Sequence, residues 1–256
     1  MKDMKKSKQL SKITKRFARQ FGAGCGDFNI VNNEGTDHFL IPIDSDYSHL
    51  SLLHWMRYKV SKVPKGFKIT AVHLYTTDEA DPQTTKYLDE FCESLKVTNH
   101  YRKVDNVNGE EVYYEILVNL ALELDCNKVA IPENLDFLDA TIITNMAKNA
   151  SFDCPSIVQK IKLYADKPEV LITRPFCYIN DTEIKTFSEL KDFPNRPTGL
   201  IIPENPYMDQ ARKSLEMLVL QSSNVKMNFF RSQFSIQRKY IGTGDGQIGT
   251  EDDLGD

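Results

Sequence analysis

The sequence lacks the features of membrane-spanning and disulfide-stabilised proteins. No apolar run approaches the roughly 20 residues that a transmembrane helix requires. The basic N-terminus has neither an apolar h-region nor a small-residue cleavage site, so we do not expect a secretory signal. The five cysteines are odd in number and form no CxxC pair. We therefore expect reduced thiols in a cytoplasmic protein that has no membrane partner.

The sequence also lacks the common catalytic motifs. It contains no HExxH and no Gly-x-Ser-x-Gly, and its five histidines do not have the spacing of metal ligands. The glycine-rich segment 22–26 follows a predicted basic helix, whereas a dinucleotide-binding loop follows a strand. We interpret segment 22–26 as a helix end and turn, and we expect neither a zinc site nor an esterase triad. His54 and His73 are expected in or beside the core.

The charged residues are distributed unevenly along a chain of 256 residues whose net charge is -4. Residues 1–22 hold eight lysines and arginines and one acid, whereas residues 244–256 hold five acids and no base. A basic helix is able to bind a polyanion such as RNA, and a solvated lysine-rich helix is the alternative. The acidic tail is expected to be disordered. The candidate RNA-binding residues are Lys5, Lys8, Lys12, Lys15, Arg16 and Arg19.

Predicted strands and helices alternate from residue 38 onwards, with short turns between them. The strands cover 38–43, 67–74, 97–104, 128–131 and 170–172, and the helices cover 4–21, 48–60, 82–95, 110–124, 136–149 and 181–190. Asp81 and Pro82 are typical of a helix start. This alternation predicts an α/β fold with a doubly wound parallel sheet, in which ligands bind where the strands end. Loop 44–49, after the first strand, is the expected site.

The predicted domains follow from these shifts in composition. We expect a basic N-terminal helix over 1–22, an α/β domain over 23–193, a C-terminal helical extension over 194–243 and a disordered acidic tail over 244–256.

Several segments resemble one known superfamily in their order and spacing. They are strand 38–43 with loop 44–49 and the following LSLLH, the segment ALELDCNKVAI over 121–131, NLD with Thr141 and Asn145, and RPF over 174–176 followed by Glu183-Ile184. Together they resemble the PP-loop ATPases (N-type ATP pyrophosphatases), and most closely the tRNA 2-thiocytidine synthetase family. The resemblance covers about residues 8–240. It implies a Rossmann-like, adenine nucleotide alpha hydrolase-like fold.

The phosphate loop departs from the family pattern. Aligned on the Leu-Leu pair, the family's Ser-Gly-Gly-Lys-Asp-Ser corresponds here to Asp44-Ser45-Asp46-Tyr47-Ser48-His49. Such a loop directs backbone N–H groups at a pyrophosphate, and its glycines permit the close approach. Both glycines and the lysine are absent here, and two carboxylates stand where a polyanion would bind. The structural alternative is that Asp44 or Asp46 caps the next helix.

The cysteines that bind an iron–sulfur cluster in this family are absent too. Segment 106–109 has no CxxC, the family's following arginine pair is Tyr113-Tyr114 here, and segment 199–205 has no cysteine. We therefore expect no iron–sulfur cluster. Cys126 and Cys177 are expected to be buried, unreactive thiols.

Three further residues occupy positions of the family's nucleotide pocket. By resemblance, Asp136 contacts a metal or the pyrophosphate, with a helix N-cap as the alternative. Thr141 lies in the same motif. Arg174 faces either a phosphate or a protein carboxylate.

These departures predict a degenerate PP-loop protein with no catalytic residue, metal or other cofactor. It would act in tRNA thiolation or RNA binding, as a homodimer or beside an active paralogue. The alternative is an active tRNA-cytidine sulfurtransferase, which uses ATP and Mg²⁺ to adenylate and then thiolate a tRNA cytidine. A further alternative is a binder of a small polar ligand held by Ser45, Tyr47, Ser48 and His49.

Overall fold

The described part of the chain holds six strands and eight helices, which alternate from the first helix to the fifth strand. The computed structural model describes residues 2–105, 107–148, 156–196, 207–220, 222 and 224–236. The elements are α1 (Lys2–Asp27), β1 (His38–Pro42), α2 (Tyr47–Val60), β2 (Lys68–Tyr75), α3 (Pro82–Leu95), β3 (Thr98–Lys103), α4 (Glu110–Glu123), β4 (Lys128–Ala130), α5 (Leu135–Ala147), β5 (Val158–Ile161), β6 (Val170–Thr173), α6 (Asp181–Leu190), α7 (Met208–Val219) and α8 (Val225–Ile236).

The chain forms two compact units. The first comprises residues 1–134 and 156–204, and the second comprises residues 135–155 and 205–256. The first unit contains the sheet, and the second contains α5, α7 and α8. The domain boundaries expected from the sequence remain a prediction, and the acidic tail lies outside the described residues.

The sheet has the strand order β3-β2-β1-β4-β6-β5. The first five strands in this order run parallel, with Phe39 of β1 in register with Ile69 of β2 and Lys128 of β4. The chain moves outward from β1 through β2 and β3, and then returns to place β4 on the other side of β1. The topological switch point therefore lies between β1 and β4. The predicted α/β, doubly wound, Rossmann-like fold class is confirmed.

The edge strand β5 was not predicted, and it runs antiparallel to β6. Its sequence, Val-Gln-Lys-Ile, is short and half polar, because an edge strand is covered less completely than a central one. The sheet is therefore parallel except at this edge.

Helix α1 continues through the glycine-rich segment 22–26 to Asp27. The interpretation of this segment as a helix end and turn is wrong. A Cβ atom on Gly24 would lie 2.9 Å from the Sγ of Cys177, so the glycine allows α1 to approach the loop after β6 closely. This packing outweighs the helix propensity that glycine loses, about 1 kcal/mol per residue.

An aromatic cluster joins α1 to the rest of the first unit. The rings of Phe17 and Trp55 stack with centroids 4.6 Å apart and an interplanar angle of 5°. Phe17 also contacts Phe176 edge-on at 5.4 Å, and Phe187 lies 5.3 Å from it. All four side chains are buried. Helix α1 is therefore an integral part of this core.

The two histidines that the sequence assigns to core elements occupy such positions. His73 is buried in β2, with Nδ1 3.0 Å from the carbonyl oxygen of Ile43. His54 is half-buried in α2, where burial and the charge of Lys191 lower its pKa to about 4.

In the second unit, buried Met208, Ala211 and Leu215 of α7 pack with Ala140 of α5. The C-terminal region was predicted to be helical, and its described part holds α7 and α8. Among the described residues, none of the helices combines the length and the apolar character needed to cross a bilayer.

Candidate functional site

The candidate site of the first unit lies where β1, β4 and β6 end. These neighbouring strands are parallel, so the residues that follow them meet at one edge of the sheet. Loop 44–46 follows β1, Glu133 and Asn134 follow β4, and Arg174 follows β6. A β-bridge between Asn134 and Phe176 continues the pairing beyond the strands. This is the edge at which the sequence predicts a ligand site.

The carboxylate of Asp46 caps helix α2. Its Oδ1 accepts hydrogen bonds from the backbone N–H of Ser48 at 2.7 Å and of His49 at 3.1 Å, and from the hydroxyl of Ser48 at 2.7 Å. The first N–H groups of a helix have no partner within the helix, and they commonly bind anions. Here the chain's own carboxylate accepts two of them.

Asp46 also forms an ion pair with the imidazole of His49. Burial by itself raises the pKa of Asp46, but the charge of His49 and the hydrogen bonds from Ser48 and His49 outweigh it and hold this pKa far below its usual range. Burial likewise opposes the charged form of His49, and the charges of Asp46 and Asp44 outweigh it and raise the pKa of His49. The loop therefore carries its own anion and its own counter-ion.

The remaining residues of loop 44–49 also bond to protein groups. The backbone N–H of Ser45 donates to Asp44 at 2.7 Å, and its hydroxyl donates to the carbonyl of Arg196 at 2.5 Å. The N–H of Arg196 donates in return to the carbonyl of Ser45 at 2.8 Å. Tyr47 donates its hydroxyl to Asp181 at 2.7 Å. These contacts already use the polar groups that the sequence assigns to a small polar ligand.

Arg174 is fully buried and forms an ion pair with Glu133. It also donates to the carbonyl of Ser156 at 2.6 Å and to the hydroxyl of Tyr114 at 3.2 Å, and Tyr114 donates to Glu133 at 2.5 Å. Burial opposes the charge of Arg174, and Glu133 outweighs it and raises the pKa of the guanidinium. Of the two roles considered for Arg174, the structure has the pairing with a carboxylate.

Asp136 and Thr141 belong to the second unit. Asp136 lies in the first turn of α5 and forms an ion pair with Lys226 of α8. The hydroxyl of Thr141 donates to the carbonyl of Phe137 at 2.9 Å, a bond within the same helix. The N-cap alternative does not describe Asp136, because α5 begins one residue earlier at Leu135.

Most of the basic candidates lie on the surface of α1. Lys8, Lys12, Lys15 and Arg19 are exposed. Arg16 forms an ion pair with Glu183 of α6. The side chain of Lys5 lies outside the described residues.

Among the residues that the structure describes, no group of three or more His, Cys, Asp or Glu side chains is arranged to hold a metal ion. The four cysteines in this part of the chain are buried and free, namely Cys25, Cys92, Cys126 and Cys177. Burial raises the pKa of the Cys25 thiol to about 12 and that of the Cys126 thiol to about 11. Such thiols are poor sources of the thiolates that a cluster requires.

Sequence reasoning missed Glu133, Tyr114 as its partner, Asp181 and Arg196. Glu133 follows β4 at the edge where a ligand site was expected, and this position was a usable signal. Nothing local in the sequence indicates the contact between Ser45 and Arg196, which are 151 residues apart.

Comparison with known proteins supports the family resemblance. No family model matches the chain. The chain is 26% identical over 212 residues to the tRNA-cytidine(32) 2-sulfurtransferase of Neisseria meningitidis serogroup A, covering 78% of this chain and 65% of that protein. It is 24% identical over 215 residues to the enzyme of the same name from Paraburkholderia phytofirmans, covering 78% and 61%. The chain thus spans less than two thirds of the length of these relatives.

A solved structure shares the fold. The U34-tRNA thiolase NcsA from Methanococcus maripaludis, solved with its [4Fe-4S] cluster, superposes with a TM-score of 0.70 at 14% identity, covering 96% of this chain and 84% of that chain. At this identity the likeness concerns the fold. The predicted resemblance to the PP-loop ATPases and to the tRNA cytidine thiolation enzymes among them is confirmed.

Proposed function

We propose that this chain is a non-catalytic relative of the tRNA sulfurtransferases. It keeps the PP-loop fold and binds tRNA, and it does not activate ATP. In this proposal it acts in tRNA thiolation beside an active paralogue, which supplies the adenylation and the sulfur transfer.

The observation that carries this proposal is the position of the Asp46 carboxylate. It accepts hydrogen bonds from the backbone N–H groups of Ser48 and His49, which are the donors that a phosphate would need at this helix end. Two unit negative charges 5 Å apart repel by about 3 kcal/mol at an effective dielectric constant of 20. A triphosphate would have to displace Asp46 and separate it from His49.

The other groups considered for the site also do not suit a bound nucleotide or an iron–sulfur cluster. Arg174, the buried cation at this edge, already pairs with Glu133. The family's Mg²⁺ accompanies the polyphosphate, whose place the carboxylate takes. The four described cysteines are dispersed along the chain, and burial raises the pKa of each thiol, so they do not form a cradle for an iron–sulfur cluster.

The proposal is tested by assaying AMP and pyrophosphate release from ATP and Mg²⁺ in the presence of bulk tRNA and sulfide. We expect no release above the protein-free rate, together with retention of tRNA in a filter-binding assay. The Neisseria meningitidis relative serves as the positive control. Release of AMP that tRNA stimulates would overturn the proposal.

That contrary result would favour the second candidate, an active ATP-dependent tRNA-cytidine sulfurtransferase. The observation in its favour is the similarity to proteins that bear this name. It would require Asp46 to leave the end of α2 when ATP binds.

A further inference from the structure

Four cations form a straight line on the outer face of α1. Lys8, Lys12, Lys15 and Arg19, here called the α1 stripe, follow one another at intervals of four, three and four residues. At 3.6 residues per turn these intervals keep all four within an arc of about 60°. All four are exposed. The stripe runs for about 16 Å along the helix, with neighbouring cations about 4.5–6 Å apart along its axis.

The opposite face of α1 holds the stripe in a fixed orientation. Phe17 and Phe21 are each 1% exposed and pack against Trp55 and Phe176. A substantial part of the helix face opposite the stripe is thus buried in the first unit. The cations therefore project from a rigid element of the fold.

Two other cations of the helix, Lys6 and Arg16, form ion pairs, whereas the stripe forms none among the described residues. Arg16 pairs with Glu183, and Lys6 pairs with Asp192 at 2.8 Å, so the face towards α6 is neutralised. No ion pair involves Lys8, Lys12, Lys15 or Arg19 within the described ranges. Residues 4–26 also contain no acid. The stripe thus keeps four charges available to a partner.

We propose that the α1 stripe is the surface that binds the phosphate backbone of RNA, an inference that rests on the proposed function. A row of lysines and an arginine at this spacing suits a line of phosphates and carries no base-reading geometry. The chain as a whole has a net charge of -4, so general attraction does not supply the affinity. An anionic membrane fits less well, because the apolar face that would insert into it is buried in the protein.

The test compares two quadruple variants of the full chain by the affinity for fluorescent tRNA between 50 and 250 mM KCl. The first carries Lys8→Gln, Lys12→Gln, Lys15→Gln and Arg19→Gln. The matched control carries Lys68→Gln, Lys86→Gln, Lys162→Gln and Lys167→Gln, which removes the same charge from other exposed positions. Thermal melts of both variants check the fold.

Four phosphate contacts give a slope of log K against log salt of about -3 to -4. We expect the stripe variant to lose most of this slope and at least about 10-fold in affinity at 100 mM salt, while the control stays within about 3-fold of the parent. Poly(U) and bulk tRNA should respond alike, because phosphates carry no sequence information.

Equal losses in the two variants, or an unchanged slope in the stripe variant, would overturn the inference. Tighter binding to phosphatidylserine vesicles than to tRNA would overturn it as well. These results are independent of the nucleotide assay. AMP release by the parent would refute the proposed loss of catalysis without bearing on RNA binding by the stripe. Unchanged tRNA binding by the stripe variant would refute this inference without bearing on the ATP result.

Discussion

The pKa values of the Asp46 carboxylate and the His49 imidazole are shifted in opposite directions. The lowered pKa of Asp46 adds stability that is fully present above the usual Asp pKa, near 3.9, and is lost as the pH falls below it. The raised pKa of His49 adds stability that is fully present below the usual His pKa, near 6.5, and is lost as the pH rises through the raised value. The pair therefore stabilises the fold most between about pH 4 and 6.5.

We expect His49→Gln to lower the free energy of unfolding by about 2 kcal/mol at pH 6, because a charged hydrogen bond to Asp46 is lost. The difference from the parent should shrink as the pH rises above about 6.5 towards the raised pKa of His49, because the parent then loses the stabilising charge. Urea unfolding at pH 5.5 to 9 measures this. A constant difference across that range would contradict the ion pair.

Asp139 of α5 also has a shifted pKa. It is fully buried, and neither carboxylate oxygen has a hydrogen-bond partner among the described residues. Burial and the charge of Asp136 raise the pKa of Asp139 to about 8, although Lys226 opposes the shift. The folded state thus holds a proton that the unfolded state releases near pH 4, so stability falls as the pH rises from about 4 to 8.

The isosteric change Asp139→Asn should remove this fall. We expect it to raise the free energy of unfolding at pH 8 by about 2–5 kcal/mol, with a much smaller effect at pH 4. Asp136→Asn is the matched control, and it should destabilise because it breaks the ion pair with Lys226. Guanidinium unfolding at the two pH values gives both results, and equal effects at pH 4 and pH 8 would exclude the raised pKa.

Residue patterns predicted these sites unevenly. An aspartate shortly before a predicted helix is a usual N-cap, so the capping role was among the alternatives for Asp44 and Asp46. The pairing of Arg174 with Glu133 joins residues 41 positions apart. Sequence alone left both a phosphate and a carboxylate open as the partner of Arg174, because it does not show which groups the fold brings together.

Among the elements, α1 departs most from its sequence pattern. The three glycines of segment 22–26 favour a helix end by propensity, yet the helix continues to Asp27. Close packing of Gly24 against Cys177 decides the outcome, and the sequence does not show that contact. The apolar spacing of Leu10, Ile13, Phe17 and Phe21 predicted the helix itself correctly.

Because α1 is part of the core, Phe17→Ala should lower the free energy of unfolding. We expect a loss of about 3–5 kcal/mol, since the ring is 1% exposed and stacks on Trp55. The control on the exposed face, Arg19→Ala, should change stability by less than about 0.5 kcal/mol. Trp55 is the only tryptophan of the chain, so its fluorescence during urea unfolding reports this environment directly. Similar losses in both variants would contradict the assigned packing.

At the scale of the whole molecule, the alternation of strands and helices predicted the parallel sheet and the edge that carries the candidate site. Hydrophobic periodicity is local, so it does not give strand order, and the antiparallel β5 and the separate unit of α5, α7 and α8 were not predicted. The position after the first strand and the family resemblance both indicated loop 44–49, but only the structure shows that Asp46 bonds to the start of α2.

The central claim is that a carboxylate of the chain takes the place of a phosphate at the start of α2. Isothermal titration of ATP and Mg²⁺ into the parent protein tests it most directly, with Asp46→Gly as the variant that removes the carboxylate. We predict no binding to the parent up to about 1 mM ATP, which corresponds to a binding free energy weaker than about -4 kcal/mol. Micromolar binding of ATP to the parent would contradict the account.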